Sequence, residues 1–128
     1  MTDPTPQMDP ASIVVLVRDL MFSGRISAEA RAAGVGIQML RDPGKLAEFP
    51  APTAGLLIVD LNLDGAIPAA AAWRQAGGRQ VLGFVSHVDT QTIERARSAG
   101  IDQVLARSAF VKLLPDLLKN SGGGQKRN

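Results

Sequence analysis

With 128 residues, 45% of them hydrophobic and 20% charged, the chain has the size and balance of one globular domain, with no room for a second core. It has no cysteine and a single histidine, which excludes disulfide frameworks, thiolate metal or redox centres and paired-histidine chemistry. The formal net charge of +2 comes from 14 Lys and Arg spread along the chain against 12 Asp and Glu, the distribution of a solvated surface rather than of a nucleic-acid-binding patch.

Residues 1–10, with Pro4, Pro6 and Pro10 and no hydrophobic periodicity, read as a flexible leader. A folded domain is expected over 11–120, and a flexible glycine-rich tail over 121–128. The longest strongly apolar runs, 13–17 and 55–59, fall far short of the roughly 20 residues needed to cross a bilayer, and the start lacks a cationic and apolar signal. A cytoplasmic protein without a membrane span is expected.

Strand-like and helical stretches alternate. A strand over 12–17 precedes a helix near 22–33, a strand over 36–40 and a short helical segment near 43–48. Then come a strand over 55–60, a helix over 67–75, a strand over 80–85, a helix over 90–99, a strand over 103–106 and a last helix near 110–119. Gly34-Val35-Gly36 lies between a helix and a strand, so it reads as a turn and not as a dinucleotide fingerprint. Asp89 or Thr90 can cap the fourth helix, Gly100 can end it, and Ser108 can cap the last. Pro115 is the misfit: the last helix either kinks there or restarts with Pro115 in its first turn. The unbroken apolar run Leu56-Leu57-Ile58-Val59 requires cover on both faces, as in a parallel sheet. Right-handed crossovers then give a doubly wound, five-stranded α/β fold.

In such a sheet, polar groups at the carboxyl ends of the strands converge on one crevice. The candidates are Arg18-Asp19 after the first strand, Asp60-Leu61-Asn62 after the third, Ser86-His87 after the fourth and Arg107-Ser108 after the fifth. In that order and spacing the chain resembles the response-regulator receiver family across the domain. The resemblance implies the flavodoxin-like strand order 2-1-3-4-5 and a signalling role without enzymatic turnover beyond phosphorylation and dephosphorylation of itself. It implies that Asp60 is the phosphoacceptor, that Ser86 senses the phosphoryl group and that Arg107 stands for the family's lysine. It also implies that Asp19, Asp60 and the Asn62 carbonyl form a Mg²⁺ site, with Arg18-Asp19 in place of an acid pair. A histidine kinase or an output protein is the implied partner, and the fourth helix, fifth strand and fifth helix are the implied dimer surface.

The departures bear on function. Arg18 replaces an acid, and at about 5 Å and an effective dielectric of about 20 its repulsion of Mg²⁺ is on the order of 6 or 7 kcal/mol before relaxation. No cofactor, or weakly held Mg²⁺, is therefore expected. Arg107 offers a planar fork suited to pairing with Asp60 directly. Val104 stands where receivers often carry an aromatic switch residue, and Ser108 where they carry proline. The first reading is an atypical, stand-alone receiver-like module that works by protein–protein interaction, its pocket held by Arg18, Arg107 and Asp60, with phosphorylation lost or altered. The alternatives are a working phospho-receiver and a small ligand-binding α/β protein. Beside these, Asp60 can merely cap a loop, Ser86 can simply bond the backbone, His87 reads as an exposed loop residue and Trp73 as a partly buried helix anchor.

Overall fold

The computed structural model describes residues 13–48, 55–78, 80–87 and 89–122. Strands and helices alternate as β1 (Ile13–Leu16), α1 (Leu20–Ala33), β2 (Ile37–Leu40), α2 (Pro43–Glu48), β3 (Leu56–Asp60), α3 (Ala66–Gln75), β4 (Val81–Val85), α4 (Thr90–Ser98), β5 (Gln103–Ala106) and α5 (Arg107–Gly122). The five strands form one parallel sheet in the order β2-β1-β3-β4-β5. The leader expected over 1–10 lies outside the described residues, as does most of the tail, although α5 continues to residue 122.

Alternation along each strand decides which layer a residue joins. Val14, Leu16, Leu57, Val59, Val81 and Val85 face α2, α3 and α4, meeting Leu46, Ile67, Ala70, Trp73 and Ala96. Their neighbours Ile13, Val15, Ile58, Leu82 and Phe84 face α1 and α5, meeting Phe22, Ile26, Ala30, Phe110, Leu114 and Leu118. Each of the larger side chains contributes roughly 1.5–3 kcal/mol by leaving water. Phe22, Phe84 and Phe110 form an aromatic cluster with ring centroids 4.9–5.9 Å apart, which ties α1 and α5 to β4. Trp73 anchors α3 as expected, but it is buried almost completely rather than partly.

Two helix starts and the course of the last helix differ from the sequence expectation. α1 begins at Leu20, because Asp19 caps it by accepting the Met21 and Phe22 N–H groups. α5 begins at Arg107 with no intervening loop, so Ser108 lies within its first turn instead of capping it. First-turn N–H groups need no intrahelical partner, and no proline follows Arg107 to force a turn. α5 also runs through Pro115 without restarting. Pro115 sits on the exposed side, where water can bond the carbonyl it leaves free, while Phe110, Leu114 and Leu118 keep one buried stripe across it. Asp89 caps α4, and Gly34 closes α1 in the left-handed region at φ 72°, as a turn.

Candidate functional site

The carboxyl ends of β1, β3, β4 and β5 bring Asp19, Asp60, Ser86 and Arg107 to one end of the sheet. Asp60 closes β3 opposite Phe84, and the ladder continues one bond further through Leu61 N–H to the Phe84 carbonyl at 2.9 Å. Leu61 turns back into the core and lies on Gly83 of β4. A Cβ at Gly83 would stand 2.5 Å from Leu61 Cδ1, so only glycine leaves room for it. That packing fixes the turn carrying Asp60 and Asn62. Asp60 is half-buried, and its Oδ1 accepts the Asn62 N–H at 3.0 Å. Loss of water raises its carboxyl above the ordinary 3.8, a trend that the Asn62 N–H and the Arg107 charge oppose.

Asp19 is committed twice. Its Oδ1 accepts from Met21 N at 2.9 Å and Phe22 N at 3.1 Å, and its Oδ2 pairs with Arg107 at 3.4 Å. The Phe22 N–H bond is the largest of the influences that hold the Asp19 carboxyl below its ordinary value, with Met21 and Arg107 adding to it against some desolvation. Arg107 also lies over the Phe22 ring, 3.9 Å from its centroid. The pairing expected among Arg18, Arg107 and Asp60 is therefore not the one observed. Arg107 binds Asp19, which is more exposed than Asp60 and sits beside an aromatic face. Arg18 swings out to donate to the Arg41 carbonyl at 3.4 Å, keeping its guanidinium in water. Among the described residues Asp60 has no ion pair.

Asn62 joins the crevice through its side chain, a contact the sequence reading did not foresee. Its Oδ1 accepts from Ser86 N at 2.8 Å, Ser86 Oγ at 3.2 Å and His87 N at 3.1 Å, and its Nδ2 donates to the His87 carbonyl at 3.4 Å. Ser86 thus bonds Asn62, and His87 takes part through its backbone. Phe22 and Gly83 were also missed. A lone glycine inside an apolar strand was the available signal for Gly83, whereas nothing local to Phe22 predicts a guanidinium 85 positions away.

The donor set suits a divalent cation poorly. Arg18 occupies one acid position, both Asp19 oxygens are engaged, and Asp60 Oδ1 accepts an N–H. Among the described residues no group of three or more His, Cys, Asp or Glu is arranged to hold a metal. A polar cleft of about 240 Å³ adjoins the turn, lined by Asn62, Asp64, Asp89, Thr92 and Arg95 among others, and a larger groove lies between α3 and α4. Asp60 lines neither. No described helix is long and apolar enough to cross a membrane.

No family model matches the sequence, and no curated protein is a detectable relative. Solved structures do match. A response regulator from Burkholderia pseudomallei, solved with a phosphorylated aspartic acid and a calcium ion, aligns with TM-score 0.70 and 20% identity over 84% of this chain; the chain spans 66%, just under two thirds, of that protein. The signal receiver domain of the putative response regulator NarL from Mycobacterium tuberculosis aligns with TM-score 0.65 and 20% identity, covering 84% of this chain and 95% of that one. An atypical orphan response regulator, described with a phosphorylation-independent regulatory mechanism, aligns with TM-score 0.66 and 13% identity, covering 88% and 98%. With the strand order and the acid-bearing crevice, these likenesses give the chain the fold of response-regulator receiver domains.

Proposed function

We propose that this chain is an atypical receiver-like signalling module that acts by protein–protein interaction, with phosphorylation control lost or altered. The observation that carries the reading is the double engagement of Asp19: one oxygen holds the start of α1 and the other holds Arg107. A divalent ion at that carboxylate would have to displace the Arg107 ion pair and the backbone N–H groups that cap α1, with no second acid beside it, since Arg18 stands at the neighbouring position. The phosphorylation-independent mechanism described for the orphan regulator is in keeping with this. The partner is a protein, either a histidine kinase or a signalling output. A second copy can also dock through α4, β5 and α5, where β5 forms the sheet edge and is only partly covered. The chain turns over no substrate in this reading, binds no nucleic acid and works in the cytoplasm.

A second reading is favoured by Asp60 itself, half-buried at the end of β3 and, among the described residues, without an ion pair that would occupy its carboxylate. Here a kinase's phosphohistidine transfers its phosphoryl group to Asp60. Asp19, Asp60 and the Asn62 carbonyl would hold Mg²⁺ weakly, Ser86 would meet the phosphoryl oxygens, and Arg107 would have to leave Asp19 to join them. Intact-mass spectrometry after incubation with acetyl phosphate and high Mg²⁺ separates the two. The first reading expects no added phosphoryl mass; a phosphoryl adduct that disappears in Asp60→Asn overturns it in favour of the second.

A further inference from the structure

We propose that Arg107 is a resident cation of the crevice, taking up the Asp19 oxygen that a divalent ion would need, and that Phe22 is the positioning residue that keeps it there. The inference rests on the reading of an altered receiver-like pocket and adds what holds that pocket closed: a guanidinium clamped between a carboxylate and an aromatic face.

Three fixed holders meet at the guanidinium. Arg107 is the first residue of α5, which follows β5 with no intervening loop, so its backbone moves only with the helix. Asp19 is tied to the start of α1 through Oδ1, which leaves Oδ2 to accept from Arg107 Nη2 at 3.4 Å. Phe22, in the first turn of α1, lies with its ring centroid 3.9 Å from the guanidinium carbon. That ring is only 5% exposed and is packed against Phe84 at 5.1 Å and Phe110 at 5.9 Å, so it forms a platform that cannot turn away. A planar, weakly hydrated guanidinium stacks on such a face and still reaches a carboxylate sideways, whereas a compact, strongly hydrated ammonium does both less well. α1 therefore supplies both contacts, and among the described residues Arg107 is the one cation paired with a carboxylate of the crevice. Arg18 is turned out to the Arg41 carbonyl. Loss of Arg107 would leave Asp19 Oδ2 open beside an Asp60 that has no ion pair among the described residues, and carboxylate oxygens of this kind are what a hard divalent cation takes. Arg107 thus closes a cation site whose acids the chain keeps in part.

The test is thermal unfolding of the full chain in about 10 mM MgCl₂ against NaCl of equal ionic strength, with no phosphoryl donor present. Wild type is expected to unfold at the same midpoint in both salts. Arg107→Ala is expected to unfold at a lower midpoint in NaCl and to regain roughly 4 °C in MgCl₂, the shift given by a ligand at about ten times its dissociation constant. Asp19→Asn in the Arg107→Ala background keeps an oxygen for the α1 cap but removes the charge, and is expected to abolish the response. Phe22→Leu keeps a buried apolar side chain without the aromatic face, and is expected to respond about half as strongly as Arg107→Ala, because Arg107 then leaves Asp19 part of the time. A merely structural Phe22 would lower both midpoints equally, and that result overturns the role given to it. Arg107→Gln, long and uncharged, serves as a second loss variant should alanine unsettle α5. The proposal is overturned if wild type gains from MgCl₂ as Arg107→Ala does, if neither Arg107→Ala nor Arg107→Gln responds, or if the response survives Asp19→Asn. A phosphoryl adduct on a wild type indifferent to MgCl₂ would sink the proposed function alone; a wild-type response to MgCl₂ without an adduct would sink this inference alone.

Discussion

At the N-terminal end of the strands, one carboxylate stitches three elements together: Asp102 accepts the Val81 N–H at 2.7 Å and the Arg74 Nε and Nη2 donors at 3.1 Å each, while Arg74 Nη1 reaches the Gly78 carbonyl at 3.3 Å. At the opposite end, Asp60 receives one backbone N–H and sits half out of water, without an ion pair among the described residues. The two carboxyls respond in opposite directions. Partial burial works to raise Asp102, but the Arg74 and Val81 hydrogen bonds outweigh it and hold it below 3.8, whereas desolvation prevails at Asp60 and raises it above 3.8. One acid stabilises the fold; the other burdens it. Such a burden, at the end of the sheet where loops converge, is what the proposed function expects of a carboxylate that serves something other than stability.

Substitutions at the two ends sharpen that contrast. The largest effect is expected from Gly78→Ala at the stitched end, where a Cβ would stand 2.2 Å from the Trp73 ring. Trp73 is buried and cannot turn aside, so urea denaturation is expected to show a loss of about 3 kcal/mol.

Asp102→Ala is expected to cost about 1–2 kcal/mol, discounted for the partial exposure of the Arg74 pair. The sign with pH follows from the lowered carboxyl: the stabilisation is present above the unfolded-state value near 3.8 and fades as pH falls through that value toward the folded one. The difference between wild type and Asp102→Ala in urea midpoint should therefore narrow in acid. An unchanged difference down to the folded carboxyl range would mean that the ion pair contributes nothing.

Asp60→Asn has the smallest expected effect and the opposite sign. The amide keeps an oxygen for the Asn62 N–H and removes the desolvated charge, for a gain of about 1 kcal/mol at neutral pH. A raised carboxyl binds its proton more tightly in the folded state, so wild-type stability falls as pH rises from 3.8 through the folded value. The advantage of Asp60→Asn should thus appear above that window and vanish below it. Equal thermal midpoints at pH 7 would remove the contrast between the two ends.

Much of this was legible in residue patterns. Continuous apolar strands and their spacing predicted five parallel strands, and the polar residues that follow them marked the crevice, because strand ends converge whatever the loops do. Helix starts were less legible. Asp19 reads as an acid beside Arg18 until the backbone shows that its oxygen closes α1, and Pro115 reads as a break until the stripe of Phe110, Leu114 and Leu118 shows what burial overrides.

The partners of the charged groups were not legible at all. Arg18 and Arg107 were expected to neutralise Asp60, yet hydration draws the first to the Arg41 carbonyl, and Asp19 with the Phe22 ring holds the second. Sequence by itself determined the elements, their order and the set of groups brought to one end of the sheet, since local periodicity and crossover handedness depend on near neighbours. Only the tertiary structure decided which of those groups bond to which. The choice turns on differences of an ångström and of partial burial among residues from β1, β3, β4 and β5, and no spacing along the chain encodes them.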